Sequence, residues 1–397
     1  MLCALTKDGE TICLPSYTRG ELQRLRSSTT FYCPTCQEPL LIKIGTEITP
    51  HFSHQALSSC TGGGEGEIHE RGKWLLYSWL KNQYSNVSLE KYLPEIGQRP
   101  DVLLTVESKK FAIEFQYSTV SVNEIRKRNK MYTGIGITPI WFLDRRHLQQ
   151  YGRHLFMINS FLKQFICQPT IESSPMLFFL CTEQSQIISL QQIIFSAMTK
   201  VFAHKYIWSL KGTTWIDVFQ FQRISRKIFI NEWHQEKKKF RMRPRYGVGK
   251  QKEWLQWLYE QRLSLDFLPS LIHLPVKGQM FMNVPPWNWQ SRLWHFIQYT
   301  VPENCLFTIK DCQDILATFI HPPSYFPLLE QSIDPVTSYL HWLEILGYVK
   351  SKGDQSYLLH KTMPPYSHVE EALEQDNELM QSLKTLLLTS DRQRLRK

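Results

Sequence analysis

The sequence predicts a mixed α/β protein built from several domains, and three observations carry that reading. The chain has 397 residues, more than one ordinary compact domain holds. A stretch with apolar residues at helical spacing is followed by segments of strand-like alternation, a helix and a further strand. A cysteine and histidine cluster lies in a turn-rich stretch ahead of them. Hydrophobic residues make up 42% and aromatic residues 13%, the composition of a packed chain rather than a disordered one.

Residues 1–62 read as a small β module ending at Thr61-Gly62-Gly63-Gly64, a natural joint. Within it Cys33-Pro34-Thr35-Cys36 is a C-x2-C knuckle, followed by His51-Phe52-Ser53-His54 and then Cys60. Thiolates with imidazole at this spacing point to zinc. Five candidates compete for four positions; Cys33, Cys36, His54 and Cys60 are favoured, with His51 the alternative. The expected role is structural, because so short a module has little core and ligation supplies folding free energy. Cys3, Cys13, Cys167, Cys181, Cys305 and Cys312 lack such neighbours and read as small buried hydrophobes, with disulfides not expected.

Residues 63–150 carry the α/β core. Ile68, Leu75, Leu76, Trp79 and Leu80 predict a helix from Glu65 to about Gln83, and Ser85 to Tyr92 reads as extended. Strands are expected at Arg99 to Val106, Phe111 to Tyr117 and Thr138 to Leu143. A helix from Val122 to Gly134 opens on the capping box Ser121 to Glu124. Residues 151–397 read as mostly helical, with a strand at Pro175 to Cys181 and a winged-helix pattern near 300–362 that ends in strands across a Gly353-Asp354 turn. Trp254, Trp257, Trp287 and Trp289 read as packing residues and Asp391 to Lys397 as a frayed tail.

The chemistry concentrates in the hairpin of residues 99–116. Folded about Ser108-Lys109, it sets Val102 opposite Phe115, Leu104 opposite Ile113 and Val106 opposite Phe111, one apolar face. The other face then gathers Asp101, Glu114 and Gln116 and is expected to be wet, with the acids placed for one hard divalent ion, magnesium or manganese. Pro100-Asp101 followed by Glu114-x-Gln116 resembles the PD-(D/E)XK nuclease motif, except that Gln116 stands where that motif has lysine. The resemblance implies a restriction-endonuclease-like core in which Asp101 and Glu114 bind metal, with a further site residue on the preceding helix, where Glu65, Glu67, His69, Glu70 and Lys73 crowd and Glu67, His69 and Lys73 are the favoured candidates.

With CPTC, HFSH, a cysteine, GEGEIHERGK, RPDV and AIEFQYS in this order, residues 1–145 resemble the CoiA family of competence proteins. That resemblance implies processing or recombination of incoming DNA, single- or double-stranded, alongside RecA-type recombinase machinery. Lysine and arginine outnumber acids 46 to 36, a balance that suits a polyanion. The run Lys237, Lys238, Lys239, Arg241, Arg243 and Arg245, interleaved with Phe240 and Tyr246, is the expected DNA contact. Neither a signal peptide nor a membrane span is legible, so the cytosol is expected. Three readings follow: a divalent-metal-dependent deoxyribonuclease, a DNA-binding scaffold that lost catalysis with the lysine, and a zinc-stabilised interaction module.

Overall fold

A computed structural model describes residues 1–45, 50–55, 66–168, 174–220, 226–242, 249–322, 325–326, 328–329 and 334–394. Cys60 and the glycine joint fall outside them. The first module contains β1 (Cys3–Leu5), β2 (Thr11–Cys13), α1 (Arg19–Ser28), β3 (Phe31–Tyr32), β4 (Pro39–Lys43) and β5 (His51–His54). The strands form one sheet in the order β2-β1-β3-β4-β5. Thr18 and Glu21 close α1 with a reciprocal capping box. Leu14, Leu22, Phe31, Leu40, Ile42 and Phe52 make a small core. Cys3 and Cys13 correct the sequence expectation: they face each other across β1 and β2 and form a disulfide.

The central domain begins with α2 (Glu67–Lys81), β6 (Val87–Leu89), β7 (Val102–Val106), β8 (Lys109–Gln116), α3 (Val122–Gly134) and β9 (Ile137–Asp144). It continues through β10 (Gln149–Gln150), β11 (Leu155–Met157), α4 (Ser160–Lys163), β12 (Met176–Cys181), β13 (Gln186–Phe195) and β14 (Lys200–Ser209). All nine strands share one sheet, ordered β10-β11-β14-β13-β12-β9-β8-β7-β6. A boundary near residue 150 is therefore corrected. The β12-β13-β14 meander hydrogen-bonds directly onto β9, so the strands from β11 to β14 continue the sheet where a helical region was expected.

The parallel pair β8 and β9 is joined by the α3 crossover, so helices cover both faces of the sheet. On one face Val102, Leu104, Ile113 and Phe115 pack with Leu76, Trp79 and Leu80 of α2. On the other, Leu103 and Ala112 pack with Tyr132 of α3. Gly72 lets α2 approach: a Cβ there would lie 2.2 Å from the Phe115 ring.

The hairpin register differs from the expected one by two residues. Val102 pairs with Ile113, Leu104 with Phe111 and Val106 with Lys109, closing a tighter turn in which Glu107 takes a positive φ of 52°. A two-residue shift preserves which side chains share a face, so the alternation holds while the partners change. Asp101 now stands one step beyond Val102, across from Glu114 rather than Gln116.

The remaining chain holds α5 (Arg226–Arg241), α6 (Lys250–Glu260), α7 (Pro286–His295), β15 (Leu306–Thr308), α8 (Ile309–Ile315), α9 (Pro335–Ile345), β16 (Val349–Gly353), β17 (Ser356–Leu359) and α10 (Val369–Arg394). Its core centres on Trp233, Trp254, Trp289 and Trp294, all essentially inaccessible, in keeping with a packing role for the tryptophans. The strands form a sheet β15-β17-β16. The expected frayed tail is instead helical as far as Arg394. Among the described residues no helix is long and apolar enough to cross a membrane.

Candidate active site and metal centre

The end of the β7-β8 hairpin brings Asp101, Glu114, His69 and Lys73 together. Asp101 Oδ2 accepts the backbone N–H of Phe115 at 2.8 Å and lies 3.6 Å from His69 Nε2. His69 Nε2 is 2.6 Å from the Phe115 carbonyl, which only accepts, so this nitrogen carries the proton. Lys73 Nζ lies 4.0 Å from Asp101 Oδ1, 2.6 Å from Glu90 Oε1 and 3.2 Å from Glu70 Oε1. Its side chain is completely buried.

Glu114 sits on the α3 side. Its Oε1 accepts from Arg128 Nη2 at 2.6 Å and from the Tyr132 hydroxyl at 2.5 Å. Burial, and then the neighbouring charge of Asp101, push its pKa up to about 7, although Arg128 and Tyr132 pull the other way. The expected wet face is thus corrected: Asp101, Glu114 and Gln116 are all buried, because α3 and its loop cover that side. Gln116 does not point into the cluster by hydrogen bonding; its Nε2 donates to the Ser118 carbonyl at 2.6 Å. Glu67 is exposed in the first turn of α2.

Sequence reasoning named Glu70 on the helix but left out Glu90, Arg128 and Tyr132, which the structure adds. Glu70 and Glu90 flank Lys73, and Arg128 and Tyr132 hold Glu114. Glu70 and Lys73 were legible as i, i+3 neighbours, as were Arg128 and Tyr132 at i, i+4. Glu90 was not, because its position depends on how Leu2 and Cys3 of the first module dock. Their backbone N–H groups donate to Glu90 Oε2 at 2.9 and 3.0 Å.

In the first module Cys33, Cys36 and His54 offer ligand atoms within 4.8 Å of one another. The knuckle turns through Gln37, whose φ is 63°, and its N–H donates to the Cys33 carbonyl. Cys36 Sγ and His54 Nε2 are 3.3 Å apart. Burial works to raise the Cys33 thiol, but N–H donors from Cys36 and Thr35 and the charge of Arg99 outweigh it and hold its pKa low. Two thiols and an imidazole fit a thiophilic metal. His51 pairs with Lys43 across the β4-β5 ladder, one face away from His54's neighbour Leu40, and is not in the cluster.

The basic run divides. Lys237 and Arg241 point inward: Arg241 holds Asp376 of α10 through two hydrogen bonds at 2.9 and 3.0 Å, and Lys237 caps the Ser270 and Ile272 carbonyls. As DNA contacts they are corrected, because α5 turns these two positions into the core. Lys238 and Lys239 are exposed, and Arg243 and Arg245 lie outside the described residues.

Comparison with known proteins places these sites in a family. Residues 14–62 match the amino-terminal domain of competence protein CoiA, residues 65–223 its nuclease-like domain and residues 228–373 its carboxy-terminal domain. The chain is 26% identical over 360 residues to "Competence protein CoiA" of Bacillus subtilis (strain 168), covering 87% of this chain and 94% of that protein. No solved structure matches it. With a nuclease-like domain around the Asp101 and Glu114 hairpin and matches along nearly its whole length, the chain belongs to the competence protein CoiA family.

Proposed function

We propose that the protein processes DNA during competence as a divalent-metal-dependent deoxyribonuclease of PD-(D/E)XK type, with Asp101 and Glu114 as the metal-binding carboxylates. The observation that carries this reading is Lys73. The motif has a lysine two residues after its second acid, Gln116 supplies no ammonium there, and Lys73 of α2 places its Nζ 4.0 Å from Asp101 Oδ1. Buried as it is between Glu70, Glu90 and Asp101, Lys73 orients Asp101 and is a positioning residue. Glu114, held near neutrality by burial and by Asp101, gains most from an added cation. A magnesium or manganese ion bound there would polarise a phosphodiester and acidify the attacking water. His69, partly exposed beside Asp101, is placed to hold that carboxylate or to meet a phosphate.

A second reading, the DNA-binding scaffold without catalysis, is favoured by the Arg128 contact, since a guanidinium already occupies Glu114. Cleavage assays with magnesium and manganese separate the two. The nuclease reading expects wild-type activity that Asp101→Ala and Lys73→Gln remove and that Gln116→Ala largely keeps. The scaffold reading expects no cleavage by wild type and DNA binding unaffected by Asp101→Ala. For the metal centre, zinc with Cys33, Cys36, His54 and Cys60 as a closed structural shell is the proposal. The helix, strand, helix, helix and hairpin order from α7 to β17 supports a winged helix there.

A further inference from the structure

A cleft of about 740 Å³ opens on the first module, away from the nuclease-like site. One wall is β4, whose outward positions are Pro39, Leu41 and Lys43. The other walls come from the end of α1 with Arg26, Thr29 and Thr30, and from β5 with His51. Lys43 and His51 are direct cross-strand partners, so their side chains share a face. Leu41, 44% exposed, lies between them and Pro39.

Among the described residues that line it, the charged side chains are Arg26 and Lys43, both cationic. Neither Arg26 nor Lys43 has an ion-pair partner among the described residues. The depression is open to solvent, a shape that suits an extended chain laid along it and not an enclosed small molecule. The five residues of β4 span roughly 16 Å, the length of a short run of extended chain.

We propose that this cleft binds the backbone of single-stranded nucleic acid. Arg26 and Lys43 neutralise successive phosphates, while Leu41 and Pro39 give sugars and bases an apolar floor. A duplex, with its phosphates spread over a convex surface, meets the cations only at the rim. A metal held by Cys33, Cys36 and His54 would tie the β3-β4 knuckle to β5, the strand that carries His51 opposite Lys43. The inference rests on the nucleic-acid reading above but not on catalysis, and it gives the module a role besides stability.

The test uses the full chain and fluorescence anisotropy with a short oligothymidylate, a duplex of equal length and a poly-glutamate peptide, across a salt series. The Arg26→Gln, Lys43→Gln double variant should bind the oligothymidylate several-fold more weakly. Its salt slope should fall by about 1.4, two single-strand phosphate contacts. The milder Thr30→Lys variant should strengthen binding, which guards against a loss caused by misfolding. The titrations are run without added magnesium or manganese, so no ion at Asp101 and Glu114 contributes and failure of the nuclease reading leaves this one standing. Unchanged affinity and slope in the double variant, or equal losses on duplex or peptide, would overturn it.

Discussion

Glu114 carries two strong donors on one oxygen and still titrates near neutrality, because burial and the charge of Asp101 outweigh them. A carboxyl raised in the folded state contributes stability that is complete below its unfolded pKa and is lost as pH rises to about 7. Thermal melts should therefore show stability falling between roughly pH 4.5 and 7, with Glu114→Gln flattening that part of the curve. An unaltered pH profile in the variant would place the titration elsewhere. On the opposite face Phe115→Ala should cost about 3–5 kcal/mol, as loss of a large core side chain does. Gly72→Ala presses a methyl into the same ring and should cost about 1–3 kcal/mol by overpacking. Denaturant midpoints check both, and a silent Phe115→Ala would contradict the assignment of Phe115 to the core face.

At the scale of elements, two connections between segments far apart in sequence are testable. Asp376 of α10 is buried between Lys237 and Arg241 of α5. Asp376→Ala leaves two cations without their carboxylate and should destabilise by about 3–5 kcal/mol, read as a lower unfolding midpoint. Wild-type stability in that variant would mean the lysine and arginine serve an exposed surface after all. The knuckle between β3 and β4 is the other: Cys33→Ser with Cys36→Ser should abolish metal binding and loosen residues 1–54 to proteolysis. Metal analysis of wild type and variant that gives equal, zero content would remove the metal from the account.

Over the whole molecule, periodicity located the helices and strands that build the nuclease-like core, and the bounds of α3 follow directly from its cap and terminal glycine. Face assignment survived an incorrect hairpin register because strand parity repeats every second residue. What pattern did not reveal was coverage. Nothing local in Leu103-Leu104 tells a sheet wet on one side from one roofed by α3, and the β12 to β14 meander joins the sheet only through pairing distant in sequence. Charge runs misled for a similar reason, since Lys237 and Arg241 are separated from exposed Lys238 and Lys239 only by helical phase and by a partner 135 residues away. The candidate site was legible as Asp101, Glu114, His69 and Lys73, and illegible where it depends on Glu90 and the docking of the first module. The central claim, that this cluster cuts DNA with a divalent ion, is met most directly by incubating wild type and Asp101→Ala with single- and double-stranded DNA in magnesium and in manganese. The account predicts metal-dependent cleavage by wild type and none by an equally folded Asp101→Ala; inert wild type, or equal cleavage by both, would contradict it.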